Sequence, residues 1–213
     1  MENIAHYSYE SIDLSLLCDG NMERIMEERE LIRRAKKGDA EAFGKLYETI
    51  YQRMYRYALY TLRNKQDAED VVSETVMEAF ATIKKLRSED AFAAWIFRIL
   101  SVKCKHRMKE YYQKRNEDSI EEQEAQGTEA IVDRSDRYEA ADVGWSQKKE
   151  EYLDVRRAFF SLPDEERMIL ALHLILGYKT REIAKLLFMN ENTVRSKESR
   201  AIQKMGNKLK GLR

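Results

Sequence analysis

Proline is almost missing from this chain: there is one, Pro163, in 213 residues, beside eight glycines. So few breakers exclude a fold of many short strands and tight turns, and favour long helices. Strand-like alternation of apolar and polar residues is absent over any useful length. Cysteine is scarce as well. Cys18 and Cys104 stand alone without metal-ligand spacing, so no metal site is expected. Apolar runs long enough to span a bilayer are lacking, which excludes stable membrane insertion. The first residues, MENIAHYSYE, have no basic start followed by an apolar stretch, so secretion is not expected and a reduced cytoplasm is the simplest setting. Neither a His/Cys/Asp constellation nor a glycine-rich phosphate cradle is present. The expectation is therefore no catalytic residue, no cofactor and no metal: a protein that is not an enzyme.

A net charge is lacking too, with 38 basic and 38 acidic residues, but that balance hides segregation. Residues 84–115 hold ten Lys/Arg against Glu89, Asp90 and Glu110. Residues 181–213 hold nine against Glu182, Glu191 and Glu198. Between them, residues 116–142 hold ten Asp/Glu against Arg134 and Arg137. Two basic blocks flanking an acidic one are two candidate polyanion-binding surfaces; solvated helix faces are the plainer alternative.

What is present is helical periodicity. Residues 1–26 show no clear period, although SIDLSLL could form a short helix or strand. After Asp39, a plausible N-cap, Phe43, Leu46, Tyr47, Ile50, Met54, Tyr57 and Ala58 recur three and four residues apart. A second helix starting near Asp67 carries Val72, Val76, Ala79, Phe80 and Ile83 on one face. After a break at residues 87–90, a third carries Phe92, Trp95, Ile96 and Ile99 and then turns basic. Residues 116–147 lose the period and turn acidic, a composition that cannot bury enough apolar surface to offset chain ordering. Tyr152, Val155, Ala158, Phe159 and Leu162 restart the pattern; Pro163 with Asp164, Glu165 and Glu166 suits a helix first turn, and Gly177 a helix stop.

The chemistry concentrates in residues 179–205, which read as a helix-turn-helix. Thr180 can cap a short helix with Ile183, Ala184 and Leu187 inward; Phe188 and Met189 fall at the turn; Asn190 can cap a second helix on Val194, Ala201, Ile202 and Met205. Arg195, Ser196, Lys197, Ser199 and Arg200 then project outward, the donors that phosphates and base edges in a major groove require. The fold expected is all-α: two small helical domains joined by a flexible acidic linker, the second ending in the helix-turn-helix. The boundaries expected are residues 1–26 for an extension, 27–115 for the first domain, 116–149 for the linker and 150–213 for the second domain.

Several of these stretches together resemble the sigma-70 family of bacterial RNA polymerase initiation factors, most closely its two-domain extracytoplasmic-function branch. DAEDVVSETVMEAF is similar to that family's polymerase-binding helix, and FAAWIFRI to its minus-ten helix. LPDEER, EIAKLL and TVRSKESRA resemble its minus-thirty-five domain. The resemblance implies a sigma factor that directs core RNA polymerase to promoter DNA and melts it, held in check by an anti-sigma factor. It implies Asp67, Asp70 and Glu74 as polymerase contacts. It implies Arg87, Ser88, Arg98, Lys103, Lys105, Arg107 and Lys109 as minus-ten contacts, with residues 87–90 as a loop that captures a flipped base. It implies Arg195, Ser196, Lys197, Ser199 and Arg200 as upstream-element contacts. The acidic linker would thread the polymerase's basic channels.

Three positions depart from the pattern. Glu198 stands where the family has an inward leucine, so the helix is rolled or the carboxylate finds a partner. Phe188 replaces a turn glycine, which predicts a turn without positive φ there. Val102 and His106 replace Asn and Asp in the minus-ten helix. A stand-alone helix-turn-helix regulator, and a helical adaptor that has lost DNA binding, are the alternative readings.

Overall fold

The computed structural model describes the backbone of residues 14–117 and 145–211, with side chains over 23–113 and 152–211. These residues form eight α-helices and no strand: α1 (Leu14–Lys36), α2 (Ala40–Leu62), α3 (Lys65–Thr82), α4 (Phe92–Glu117), α5 (Trp145–Phe160), α6 (Asp164–Leu174), α7 (Thr180–Leu187) and α8 (Glu191–Lys210). Two short 3₁₀ turns, Ile83–Lys85 and Glu89–Ala91, fill the break before α4. The all-α expectation holds. Two boundaries differ from the sequence reading. Residues 14–26 belong to α1, and α4 and α5 take in both ends of the expected 116–149 linker. The remainder of that linker, and residues 1–13, lie outside the described residues.

Local chemistry sets the helix ends. Asp39 caps α2 by accepting from the Ala42 N–H at 3.0 Å, and Asn64 caps α3 by accepting from the Asp67 N–H at 3.0 Å. The Ala42 hydrogen bond, then the Arg34 guanidinium, hold the Asp39 carboxyl below its usual range. Lys179, not Thr180, occupies the cap position of α7, and Glu182 reaches back to accept from its backbone N–H at 2.8 Å. Asn190 caps α8 by accepting from the Asn192 N–H at 2.9 Å.

The first four helices share a core in which Leu46, Met54, Tyr57, Phe97, Leu100 and Cys104 are fully buried. Tyr57 keeps its hydroxyl satisfied by Ser101 at 3.0 Å, as a buried phenol must. A second group, Phe159, Leu162, Ile169, Leu172, Ile183 and Val194, closes α5–α8. The two groups are continuous: α2 packs on α6 and α4 on α7. Tyr60 meets the rings of Phe159 and Phe160 at 5.7 and 5.6 Å, and Phe97 meets Tyr178 at 6.0 Å. Arg167, 3% exposed, donates to the Thr61 carbonyl near the end of α2 at 2.9 and 3.1 Å and to the Leu162 carbonyl at 2.9 Å. Burial pulls its pKa down, and Asp164 beside it partly offsets that.

Candidate nucleic-acid interface

Helices α3 and α4 lie side by side and antiparallel, which places the acidic helix against the basic one. Asp67 accepts from Arg107 at 2.8 Å and from the Tyr111 hydroxyl. Burial, then that hydrogen bond, push the Tyr111 phenol above its usual range. Two turns on, Glu74 takes the other arm of Arg107 at 3.2 Å and lies 3.6 Å from Lys103, which reaches Glu78 at 3.0 Å. Burial alone would lower the Arg107 pKa, but the Asp67 charge and hydrogen bond outweigh it and hold the guanidinium above its ordinary value.

Expected contacts of two kinds are thus paired with each other. Asp67 has only 14% of its side chain exposed and is enclosed by Arg107 and Tyr111. It ties α3 to α4 in this structure, and its carboxylate is not open. Asp70, bonded to Gln66 at 3.1 Å, and Glu74 remain at the surface. The sequence reading missed two neighbours on α3. Met77 and Phe80 are 65% and 41% exposed, although Phe80 was expected on the buried face. Phe80 rests against Phe43 at 5.1 Å, so one edge is covered and the other is free to meet a partner.

The expected minus-ten set divides. Arg87, Ser88, Lys105 and Lys109 are exposed, whereas Lys103 and Arg107 are engaged by the α3 carboxylates. Arg98 is exposed as well, with its guanidinium over the Phe188 ring, 3.7 Å from the centroid. Trp95 is half-buried against the core and Phe92 fully buried, in line with a core role for this pair. Trp95, Ile99, Val102 and Phe188 floor an open groove of about 640 Å³, rimmed by Glu74, Lys103, His106 and Arg107.

On α8, Arg195, Ser196, Ser199 and Arg200 form an exposed outward face, with Val194 and Ala201 buried behind it. Lys197 sits apart from them. It turns toward α6 and pairs with Glu165 at 2.6 Å, which holds that carboxyl below its usual range. Lys204 pairs with the buried Glu166 at 2.8 Å. Ile202, expected inward, is 56% exposed.

Two of the three departures resolve. Glu198 accepts from the Thr180 hydroxyl at 3.1 Å and lies 3.1 Å from His173 Nδ1, so the inward carboxylate has partners. That nitrogen is off the hydrogen-bonding direction, and the contact is a charge pairing only when the imidazole is protonated. Phe188 contradicts the expectation: it adopts φ 56° and ψ 41°, the left-handed cap the family's glycine would supply. The turn keeps its geometry, and the phenylalanine accepts the strain.

Among the described residues no His/Cys/Asp/Glu cluster could hold a metal, and no helix is long and apolar enough to cross a membrane. Two family models match the chain: Sigma-70 region 2 over residues 46–116 and Sigma-70 region 4 over residues 152–205, together more than half of it. The chain is 26% identical over 182 residues to the ECF RNA polymerase sigma factor SigM of Mycobacterium tuberculosis, covering 85% of this chain and 83% of that one. It is 25% identical over 195 residues to the ECF RNA polymerase sigma factor SigW of Bacillus subtilis, covering 90% and 100%. Its fold is similar to that of the sigma factor RpoE from Bartonella quintana in complex with the anti-sigma factor NepR. The TM-score is 0.60 at 19% identity over 79% of this chain and 96% of that one. With Sigma-70 region 2 matched in its first half and region 4 in its second, the chain belongs to the sigma-70 family, in its extracytoplasmic-function branch.

Proposed function

We propose that this sigma factor acts as a non-enzymatic specificity subunit in the cytoplasm, with its two DNA-reading surfaces on separate halves of the chain. Residues 27–115 dock on core RNA polymerase and hold the melted minus-ten strand; residues 150–213 read the upstream element. The single observation that carries this division is the exposed Arg195, Ser196, Ser199 and Arg200 face on α8, opposite its buried Val194 and Ala201. A bidentate arginine–guanine contact there is worth about 1–3 kcal/mol of discrimination. The docking surface is Asp70 and Glu74 with exposed Met77 and Phe80, acid beside an apolar centre, which suits a basic, partly apolar coiled coil. Arg87, Ser88, Lys105 and Lys109 are the open strand contacts, joined by Lys103, Arg107 and Arg98 when their present partners leave. By analogy with the RpoE complex, an anti-sigma factor is the inhibitory partner. The stand-alone regulator is not favoured, because it leaves the docking helix without a use.

The decisive experiment measures binding of Asp70→Ala/Glu74→Ala to core polymerase. We expect a loss of about tenfold or more, since two charge-assisted contacts contribute roughly 1.5 kcal/mol or more together. Wild-type affinity would remove the docking assignment.

A further inference from the structure

The loop between α3 and α4 has no apolar anchor of its own. Leu86 and Phe92 are buried, 4% and 2% exposed, but none of residues 87–91 is. The 3₁₀ turn Glu89–Ala91 contains no buried side chain, and its local bonds are backbone ones, from the Ala91 N–H to the Ser88 carbonyl at 3.1 Å and from the Phe92 N–H to the Glu89 carbonyl. Something else must fix where Arg87 and Ser88 point. That role falls to α1, whose Arg29 and Arg33 are one turn apart and face the same way. Arg29 places Nε and Nη2 2.9 and 2.8 Å from one Asp90 oxygen. Arg33 divides its charge between Glu30 on its own helix at 3.4 Å and Glu89 at 3.8 Å. Two arginines in helical register thus meet two adjacent acids some sixty residues away in sequence.

We propose that Arg29 and Arg33 are positioning residues for promoter-strand capture: they hold residues 87–91 so that Arg87 and Ser88 face an unpaired base. This rests on the reading of that loop given above. It gives α1 a function that none of its own surface chemistry would suggest. The pairs are solvent-exposed, with 43% and 56% of the arginine side chains accessible, so their effect is on the loop's population of one conformation, not on the fold. A loop without buried side chains is the place where pairs of this strength decide geometry.

The test uses the full chain bound to core polymerase and a pool of single-stranded DNA oligonucleotides randomised over six positions. Base preference is read by sequencing the retained fraction. Arg29→Glu should flatten the preference at the captured position by about two- to fivefold, the range one exposed tether supports. Its core-polymerase affinity and melting temperature should stay at wild-type values. The charge-swapped Arg29→Glu/Asp90→Arg should restore the preference, which a merely structural role of either residue does not predict. An unchanged preference in Arg29→Glu, or no recovery in the swap, overturns the proposal. Arg87→Ala/Ser88→Ala separates the two levels. If that variant keeps the wild-type preference, the loop does not read a base, and both the reading and the proposal fall. If it loses the preference while Arg29→Glu keeps it, the reading stands and only the positioning role is wrong.

Discussion

Phe188 shows how one residue can serve a fold and disturb it together. At φ 56° a side chain crowds its own backbone, a cost of about 1 kcal/mol that glycine avoids. The ring is 67% exposed, so burial does not offset this, but it lies flat on Arg98, worth about 0.5–1 kcal/mol. The two effects nearly cancel, and a double-mutant cycle separates them. In an Arg98→Ala background, Phe188→Gly should stabilise the chain by about 1 kcal/mol, raising the melting temperature by about 2–4 °C. In the wild-type background the gain should be about half or less. Equal gains in the two backgrounds, read by thermal denaturation, would show that the ring contributes nothing through Arg98. The sequence could not reveal the positive φ, because nothing local to phenylalanine asks for it. The need comes from the turn, whose Met189 N–H must reach the Ala184 carbonyl at 2.9 Å.

At the scale of elements, the α3–α4 pair carries a ladder of alternating charge in which the acids of α3 hold the bases of α4. Asp67, Glu74 and Glu78 engage Lys103 and Arg107 in the free chain. A polymerase surface that takes Glu74 would release cations toward DNA. Neutralising the acids should mimic that release. Glu74→Gln/Glu78→Gln should bind single-stranded DNA more tightly than wild type in the absence of polymerase. Its salt dependence should be steeper by about 0.7, the contribution of one freed phosphate contact, since Lys103 loses both its partners while Arg107 keeps Asp67. Fluorescence-anisotropy titrations over a range of salt concentrations read both; an unchanged slope would mean the ladder does not mask these cations. Both charge blocks were legible in the sequence, and so were the positions of the helices. Their mutual neutralisation was not, because i,i+4 spacing gives the face of one helix and says nothing of what lies against it.

For the whole molecule, the chief finding is that the two halves share a continuous core. Sequence reasoning expected two domains and found no reason to join them, since the residues that do so are unremarkable in one dimension. Arg167 sits in an acidic first turn and reads as a surface residue, yet it is 3% exposed and ties α6 to the end of α2. Replacing it leaves the Thr61 and Leu162 carbonyls without this donor in a buried place. Arg167→Ala should therefore destabilise the chain by about 3 kcal/mol, most of it the cost of unpartnered polar groups. Because the loss falls between the halves, unfolding should also become less cooperative, and the radius of gyration from small-angle X-ray scattering should rise before the helical signal falls. A single sharp transition at the wild-type midpoint would show that Arg167 does not join them.

The amino-acid sequence by itself determined the helices from α2 onward, their caps at Asp39 and Asn190, the outward basic face of α8 and the family. Periodicity, capping and motif order are local properties, and each is written within a few residues of where it acts. Only the tertiary structure decided which of the expected contacts are open. It enclosed Asp67, turned Lys197 toward Glu165, exposed Phe80, gave Glu198 its partners and set Arg29 and Arg33 against the loop between α3 and α4. Those outcomes depend on charges and rings brought together from distant parts of the chain, and a pairing between helices is a property of their packing, which no single helix encodes.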